Sequence, residues 1–193
     1  MLISEPFRQQ QIELHARDPD YGSASIAYAP VIANLINRYH FSEVLDYGAG
    51  KMRLMRELAG KLNDPVRFQC YEPASDNLEV RLPPQPSEFV VCVDVLECVE
   101  PECLEYVLND LQRVTRGAGF FTIGLGKAMR RLPDGRNTHQ TDKPPEWWLE
   151  KIMSRWELQT YQKTVRGFAV TVTPYDMEPV AFTIVGPDQQ LGG

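Results

Sequence analysis

The chain has 193 residues, 43% hydrophobic and 24% charged, which is length for one ordinary domain and excludes wholesale disorder or a fibre. Twenty Lys+Arg against 26 Asp+Glu give a formal charge of -6. That balance argues against a surface built as a general trap for extended nucleic acid or anionic lipid.

There is no run of about 18 apolar residues, and the opening MLISEPFRQQQIELHARD has neither a basic start nor an apolar signal core. A soluble, cytoplasmic protein is expected. Cys70, Cys92, Cys98 and Cys103 form no C-x-x-C pair and have no histidine at zinc-ligand spacing, so reduced thiols and no metal site are expected.

Residues 1–22 read as a polar, loosely ordered N-terminal segment. Tyr28, Val31, Ile32, Leu35, Ile36 and Tyr39 then recur at helical spacing, predicting a helix of about ten residues with Pro30 in its first turn. SEVLDYGAG is a short apolar strand running into two glycines, followed by a helical face of Leu54, Met55, Leu58 and Leu62. Val66 to Glu72 and Phe89 to Val95 read as strands. Leu104, Val107, Leu108, Leu111 and Val114 form a helical stripe for Gly117 to cap, and Gly119 to Leu125 is a further strand. Pro144 and Pro145 introduce a helix bearing Trp148, Leu149, Ile152 and Trp156. Strand-like pieces at Leu158 to Lys163, Phe168 to Thr173 and Val180 to Val185 are too closely spaced for helical crossovers. The alternation predicts one α/β domain over 1–193, a doubly wound, mostly parallel sheet ending in antiparallel strands.

In such a sheet the ligand sits beyond the strand carboxyl ends where strand order reverses. Asp46-Tyr47-Gly48-Ala49-Gly50 lies at the first strand-to-helix turn. Gly48 and Gly50 clear space there, and the helix starting near Lys51 directs free N–H groups at a ligand. Asp46 either accepts from a ligand ammonium or caps that helix. Glu72, 26 positions on, closes the second strand, where an acceptor-only carboxylate suits the vicinal hydroxyls of a ribose. A pyrophosphate-binding G-x-G-x-x-G would want glycine at Arg53, so a nicotinamide-dependent oxidoreductase is disfavoured.

The ordered set VLDYGAGK, CYEP and VVCVDVLECVEPECL resembles class I, Rossmann-like S-adenosylmethionine-dependent methyltransferases. LPDGRN-x-H and PPEWW, here Leu132 to Asn137, His139 and Pro144 to Trp148, are similar to segments of small phage and bacterial members. The resemblance implies a seven-stranded sheet, S-adenosyl-L-methionine as cofactor, and a donor site of Asp46, Gly48, Ala49, Gly50, Glu72, Pro73, Asp94, Val95 and Leu96. Tyr21 and Gly22, just before the first predicted helix, either form a lid across it or cap and staple that helix. Two departures stand out: Met52 replaces the usual third glycine, and Cys98 replaces the histidine of the common DVLEH segment. With only about fifteen residues between Glu72 and Phe89, the third strand is expected to shrink to about Leu78 to Arg81. Asp76, Asn77 or Leu78 would then be left to meet the adenine.

The polar segment after Gly119 to Leu125 carries the densest positive cluster, Lys127, Arg130, Arg131, Arg136 and His139, suited to an acceptor bearing phosphate or carboxylate. Arg131, Asp134, Arg136, Asn137, His139 and Trp147 are the candidate acceptor-binding residues, Trp147 and Trp148 being able to stack on a planar acceptor. For a protonated nucleophile His139 is the candidate base, since its ordinary pKa of about 6.5 lies near working pH. Asp94 and Glu97 compete for the role. The expected activity is methylation of an anionic or nucleotide-like small molecule or a modified base. The alternative is a non-catalytic cofactor-binding or interaction protein of the same fold.

Overall fold

The structure, a computed structural model, describes residues 1–177. Its elements in chain order are α1 (Glu5–Arg17), α2 (Ala24–Tyr39), β1 (Glu43–Tyr47), α3 (Arg53–Leu58), β2 (Arg67–Tyr71) and α4 (Leu78–Arg81). They continue with β3 (Ser87–Val93), a 3-10 turn at Leu96–Cys98, α5 (Pro101–Val114), β4 (Thr115–Gly124), α6 (Pro145–Met153), β5 (Glu157–Thr164) and β6 (Gly167–Thr173). Among the described residues the sheet has six strands in the order β2-β1-β3-β4-β6-β5. The β2, β1, β3 and β4 neighbours are parallel, and β6 pairs antiparallel with both β4 and β5. This is the doubly wound fold expected, with antiparallel C-terminal strands.

The period-two alternation of β3 divides the core. Phe89 and Val91 face α2 and α3 alongside Ile32, Ile36, Leu54 and Leu58. Val90 and Cys92 face α5 and α6 alongside Leu108, Leu111, Trp148 and Trp156. Both faces are covered, so β3 reads as an unbroken apolar run. No helix among the described residues is long and apolar enough to cross a membrane.

Five local expectations need correction. Residues 5–17 are helical: the Ser4 hydroxyl accepts from Phe7 N, Pro6 sits in the first turn, and Phe7, Gln11 and Leu14 make a buried stripe. With one glutamine among three buried positions, that stripe is too polar to announce itself. Helix α2 runs 16 residues and holds Pro30 in its interior. Pro30 is exposed, as is Ile26, so the Ile26 carbonyl, which loses its partner, lies on the outer face.

The expected third strand is one helical turn, α4. Asn77 Oδ1 accepts from Glu79 N at 3.0 Å and Val80 O accepts from Glu72 N at 2.9 Å, folding the segment back onto the end of β2 instead of alongside it. Helix α5 stops at Val114 with Thr115 as its cap, and Gly117 belongs to β4. There an added Cβ would come within 2.4 Å of the Glu88 carbonyl, so that glycine serves close strand approach. The implied seventh strand is not found among the described residues, and the strand expected at Val180 to Val185 lies outside them.

Candidate active site

Strand order reverses at β1, whose neighbours β2 and β3 are reached by connections running in opposite directions. The turns leaving β1 and β3 therefore meet at the carboxyl edge and frame a cavity of about 410 Å³. Gly48 lies in the left-handed region, φ +82°, and a Cβ there would meet Val95 Cγ2 at 2.3 Å. Only glycine lets the two turns approach this closely. Gly48 N and Ala49 N both donate to Tyr71 O, at 2.8 and 2.9 Å, which stitches the turn to the end of β2.

That stitching places Glu72 against the turn. Its Oε2 accepts from Gly50 N at 3.0 Å and its Oε1 from Ala74 N at 2.9 Å. Each carboxylate oxygen keeps acceptor capacity, and Glu72 lies on the cavity wall. Burial raises its pKa, while the two N–H groups pull it back down. Asp46, only 4% exposed, is pushed up to about 7, first by burial and then by the Glu72 charge. A ligand cation beside it would restore the carboxylate. Asp46 does not cap α3: the cap position is Met52, which makes no side-chain capping bond and is held at φ 56°. The glycine-favouring conformation thus persists at the position where the side chain departs from the family pattern.

Across the cavity, Asp94 also takes a left-handed φ of 53°. Thr122 Oγ1 donates to its Oδ1 at 2.8 Å, and Asp94 N donates back to Thr122 Oγ1 at 3.0 Å. His139 stands above the end of β4. A carbonyl can only accept, so the 2.7 Å contact between His139 Nδ1 and Gly126 O puts the proton on Nδ1. In the neutral ring Nε2 then carries the lone pair. Asn137 supports this arrangement, its Oδ1 accepting from His139 N at 2.9 Å and Ala128 N at 3.0 Å.

Glu97 is fully buried behind Gly124, whose N donates to Glu97 Oε1 at 2.6 Å, and its Oε2 has no partner among the described residues. Burial, then the Asp94 charge, push it up to about 8. A Cβ on Gly124 would meet both Glu97 Oε1, at 2.6 Å, and the His139 ring, at 2.9 Å. Glu97 therefore sits in the layer beneath His139 rather than on the wall.

The roof comes from α1. Phe7, Gln11, His15 and Tyr21 line the cavity, Tyr21 OH donates to Gln11 Oε1 at 3.0 Å, and the Tyr21 and His15 rings lie 4.7 Å apart. His15 Cε1 would stand 3.4 Å from a Cβ on Gly50 or Gly22, so α1 rests on the glycine turn. Burial, then Lys51, lower the His15 pKa to about 4, and its buried Nδ1 has no partner among the described residues.

Three clasps hold the roof. Ser4 N and Oγ both donate to Glu100, at 2.9 and 2.7 Å. Arg130 Nε donates to Asp18 at 2.5 Å, and Asp134 N donates to Gln10 Oε1 at 2.9 Å. On the floor side, Lys51 Nζ donates to Asp18 O at 2.7 Å.

Of the residues expected to hold a donor, Asp46, Gly48, Ala49, Gly50, Glu72, Pro73, Asp94, Val95 and Tyr21 all line the cavity, while Leu96 is buried in the core. Asp76 and Asn77 are not on its wall, and Pro73 and Ala74 form the wall on that side. Of the acceptor candidates only His139 is on the wall. The Leu132–Arg136 turn, closed by Leu132 N to Arg136 O at 2.8 Å, points Arg131 and Arg136 outward. Arg136 pairs with Asp134 at 2.8 Å and Arg131 donates to Gly135 O at 2.9 Å. Trp147 lies between Lys143 and Lys151, off the cavity, and Trp148 is core. The sequence reading missed the α1 residues, Thr138 and Arg166, all of which the cavity wall includes.

No protein-family profile matches the chain, and no curated protein matches it in sequence. Solved structures do match. The chain has the fold of class I methyltransferases. The 1,6-didemethyltoxoflavin-N1-methyltransferase of Burkholderia thailandensis, solved with 1,6-didemethyltoxoflavin and S-adenosylhomocysteine, superposes with TM-score 0.60 at 16% identity, covering 83% of each chain. A DhpI-SAM-HEP complex gives TM-score 0.60 at 16% identity, over 88% of this chain and 98% of that one. The mitomycin 7-O-methyltransferase MmcR gives 0.61 at 12% identity over 84% of this chain, which spans only 60% of that protein.

Proposed function

We propose that this protein is an S-adenosylmethionine-dependent methyltransferase of the cytoplasm, acting on an anionic or nucleotide-like small molecule or a modified base. One observation carries the reading: the Glu72 carboxylate is locked 3.0 Å from Gly50 N, on the wall of a cavity whose turn only Gly48 can make. A bound nucleoside finds there an acceptor pair for its sugar diol, a side-chain-free turn, and the buried Asp46 to complement an ammonium. Nine of the ten residues expected at the donor site line one cavity, and structures that share the fold were solved with S-adenosylmethionine or its product.

The donor, when bound, supplies a methyl group on a sulfonium open to in-line displacement. The chain's residues then have two tasks, alignment and proton removal. Asp46, Gly48, Ala49, Gly50, Glu72, Pro73, Val95 and Tyr21 hold the donor end, and Asp94 faces the space beside it. His139, its tautomer fixed by Gly126 O, offers Nε2 to an acceptor proton. Residues 1–22 act as the lid, extending the role expected of Tyr21 and Gly22 to the whole of α1.

Turnover of the methyl donor with a panel of hydroxylated and nitrogen-bearing anionic acceptors tests the reading. His139→Ala should lower kcat about 10²-fold or more while leaving donor affinity within about twofold. Wild-type turnover in that variant removes His139 from the chemistry, and donor binding without product from any acceptor favours the non-catalytic alternative.

A further inference from the structure

A second cavity, of about 320 Å³, lies between α2 and the turn joining β5 to β6, with Tyr28, Asp94, Gly124, Thr164 and Arg166 on its wall. Asp94, Gly124 and Arg166 belong to both cavities. The second space therefore opens beside the stretch where Asp94 and His139 flank the end of β4. It lies away from the Gly48–Glu72 turn, and α1 does not roof it.

Arg166 is the feature of this shelf without an evident structural task. Its backbone is pinned, since Leu125 N donates to Arg166 O at 2.7 Å, so the turn presents the side chain from a fixed point. Among the described residues its guanidinium meets only Met129 Sδ, at 3.2 Å, and no carboxylate pairs with it. A thioether is a weak acceptor, and Met129 is 79% exposed, so this contact is readily displaced. Arg130, the other arginine on the wall, is already held by Asp18 at 2.5 Å. The shelf also carries an acidic group, Asp94, fixed by Thr122. A guest lying there meets a hydrogen-bond acceptor and a planar cation with no carboxylate partner among the described residues.

We propose that this shelf is the acceptor site and that Arg166 selects the acceptor by an anionic group, a carboxylate or a phosphate. This rests on the methyltransferase reading for the guest being a methyl acceptor, while the anion site itself is testable without it. The planar guanidinium fork suits both anions. Lys127, on the wall of the main cavity, adds positive charge nearby.

The test is calorimetric titration of the full chain, free and loaded with S-adenosylhomocysteine, using 4-hydroxybenzoate, phenyl phosphate and phenol as probes. Wild type should bind one or both anions more tightly than phenol, and whichever binds better identifies the anion class. Arg166→Gln should weaken the anions about tenfold or more, a loss expected for a charge-assisted hydrogen bond, and leave S-adenosylhomocysteine affinity unchanged. Arg166→Lys should recover part of the loss. Lys163→Gln, the same charge change on the same hairpin, should have no effect. Equal anion binding in wild type and Arg166→Gln, or no preference over phenol, overturns the proposal. Failure of S-adenosylhomocysteine to bind while the Arg166-dependent anion preference persists overturns the donor reading and leaves the anion site standing.

Discussion

The floor and the roof of the cavity are built by different rules. The floor is backbone: a glycine-bearing turn packed on the turn after β3, a carboxylate held by two N–H groups, and parallel strands whose register brings Asp46 opposite Cys70 and Val91. The roof is side chain: α1 and its flanks meet the start of α5 through Ser4–Glu100 and the 125–141 loop through Asp18–Arg130 and Gln10–Asp134, pairs separated by roughly a hundred residues or more of chain. A floor of this kind is rigid and intolerant of change. A roof held by exposed or half-buried polar pairs, each worth little, can open and close without disturbing what lies beneath.

The contrast is broken most severely at Gly48. Gly48→Val forces a β-branched residue to φ +82° and drives its Cβ into Val95. It should cost more than about 2 kcal/mol of stability and lower S-adenosylhomocysteine affinity by about a hundredfold or more, read by thermal melting and calorimetry. On the roof, Glu100→Ala removes the acceptor of both Ser4 bonds and leaves Ser4 to cap α1. It should raise the dissociation rate of S-adenosylhomocysteine several-fold in stopped-flow measurements while changing the melting temperature by only a few degrees. An unchanged dissociation rate would mean that α1 is a fixed wall.

Titration reports on the floor and the layer beneath it. Asp46 and Glu97 have folded pKa values raised to about 7 and about 8, so from the ordinary carboxylate range upward the folded protein binds more protons than the unfolded chain. Stability therefore falls as pH rises through those values. His15, lowered to about 4, works in the opposite sense but only below about 6.5. Between pH 6.5 and 8 the two carboxyls are left, and the ligand-free protein should lose stability across that window in chemical denaturation. Glu97→Gln should flatten the upper part of the slope.

The smallest effect belongs to Met52. Its φ of 56° is costly for a side-chain-bearing residue. Met52→Gly should stabilise the protein by about 0.5–1 kcal/mol and leave donor affinity unchanged.

These differences also explain what could be read from residues alone. The floor was legible because each part has a local signature: glycines where the chain must turn left-handed or pass close, an acid one strand later, apolar runs with a period of two or none. The roof was not, because a helix with Phe7, Gln11 and Leu14 as its buried stripe looks polar, and a clasp such as Ser4–Glu100 has no local pattern. Arg131, Arg136 and Trp147 were drawn into the site by charge density and aromaticity. The Leu132–Arg136 turn rotates the two arginines outward, and Trp147 packs beside Trp148 under two lysines. Lys127 and Arg130 of that cluster do reach the wall, and Arg166, which joins them there, stood alone in a hairpin turn with nothing nearby to mark it. The expected third strand failed for a related reason: a side-chain cap from Asn77 and one backbone bond from Glu72 decide between strand and helical turn.

The most direct measurement is a titration of the wild-type protein and Glu72→Ala with S-adenosylhomocysteine, with NADH as the comparison ligand. The account predicts one molecule of S-adenosylhomocysteine bound per chain, at least about tenfold weaker binding in the variant, and no saturable binding of NADH. Equal affinity in the two proteins, or preference for NADH, would contradict it.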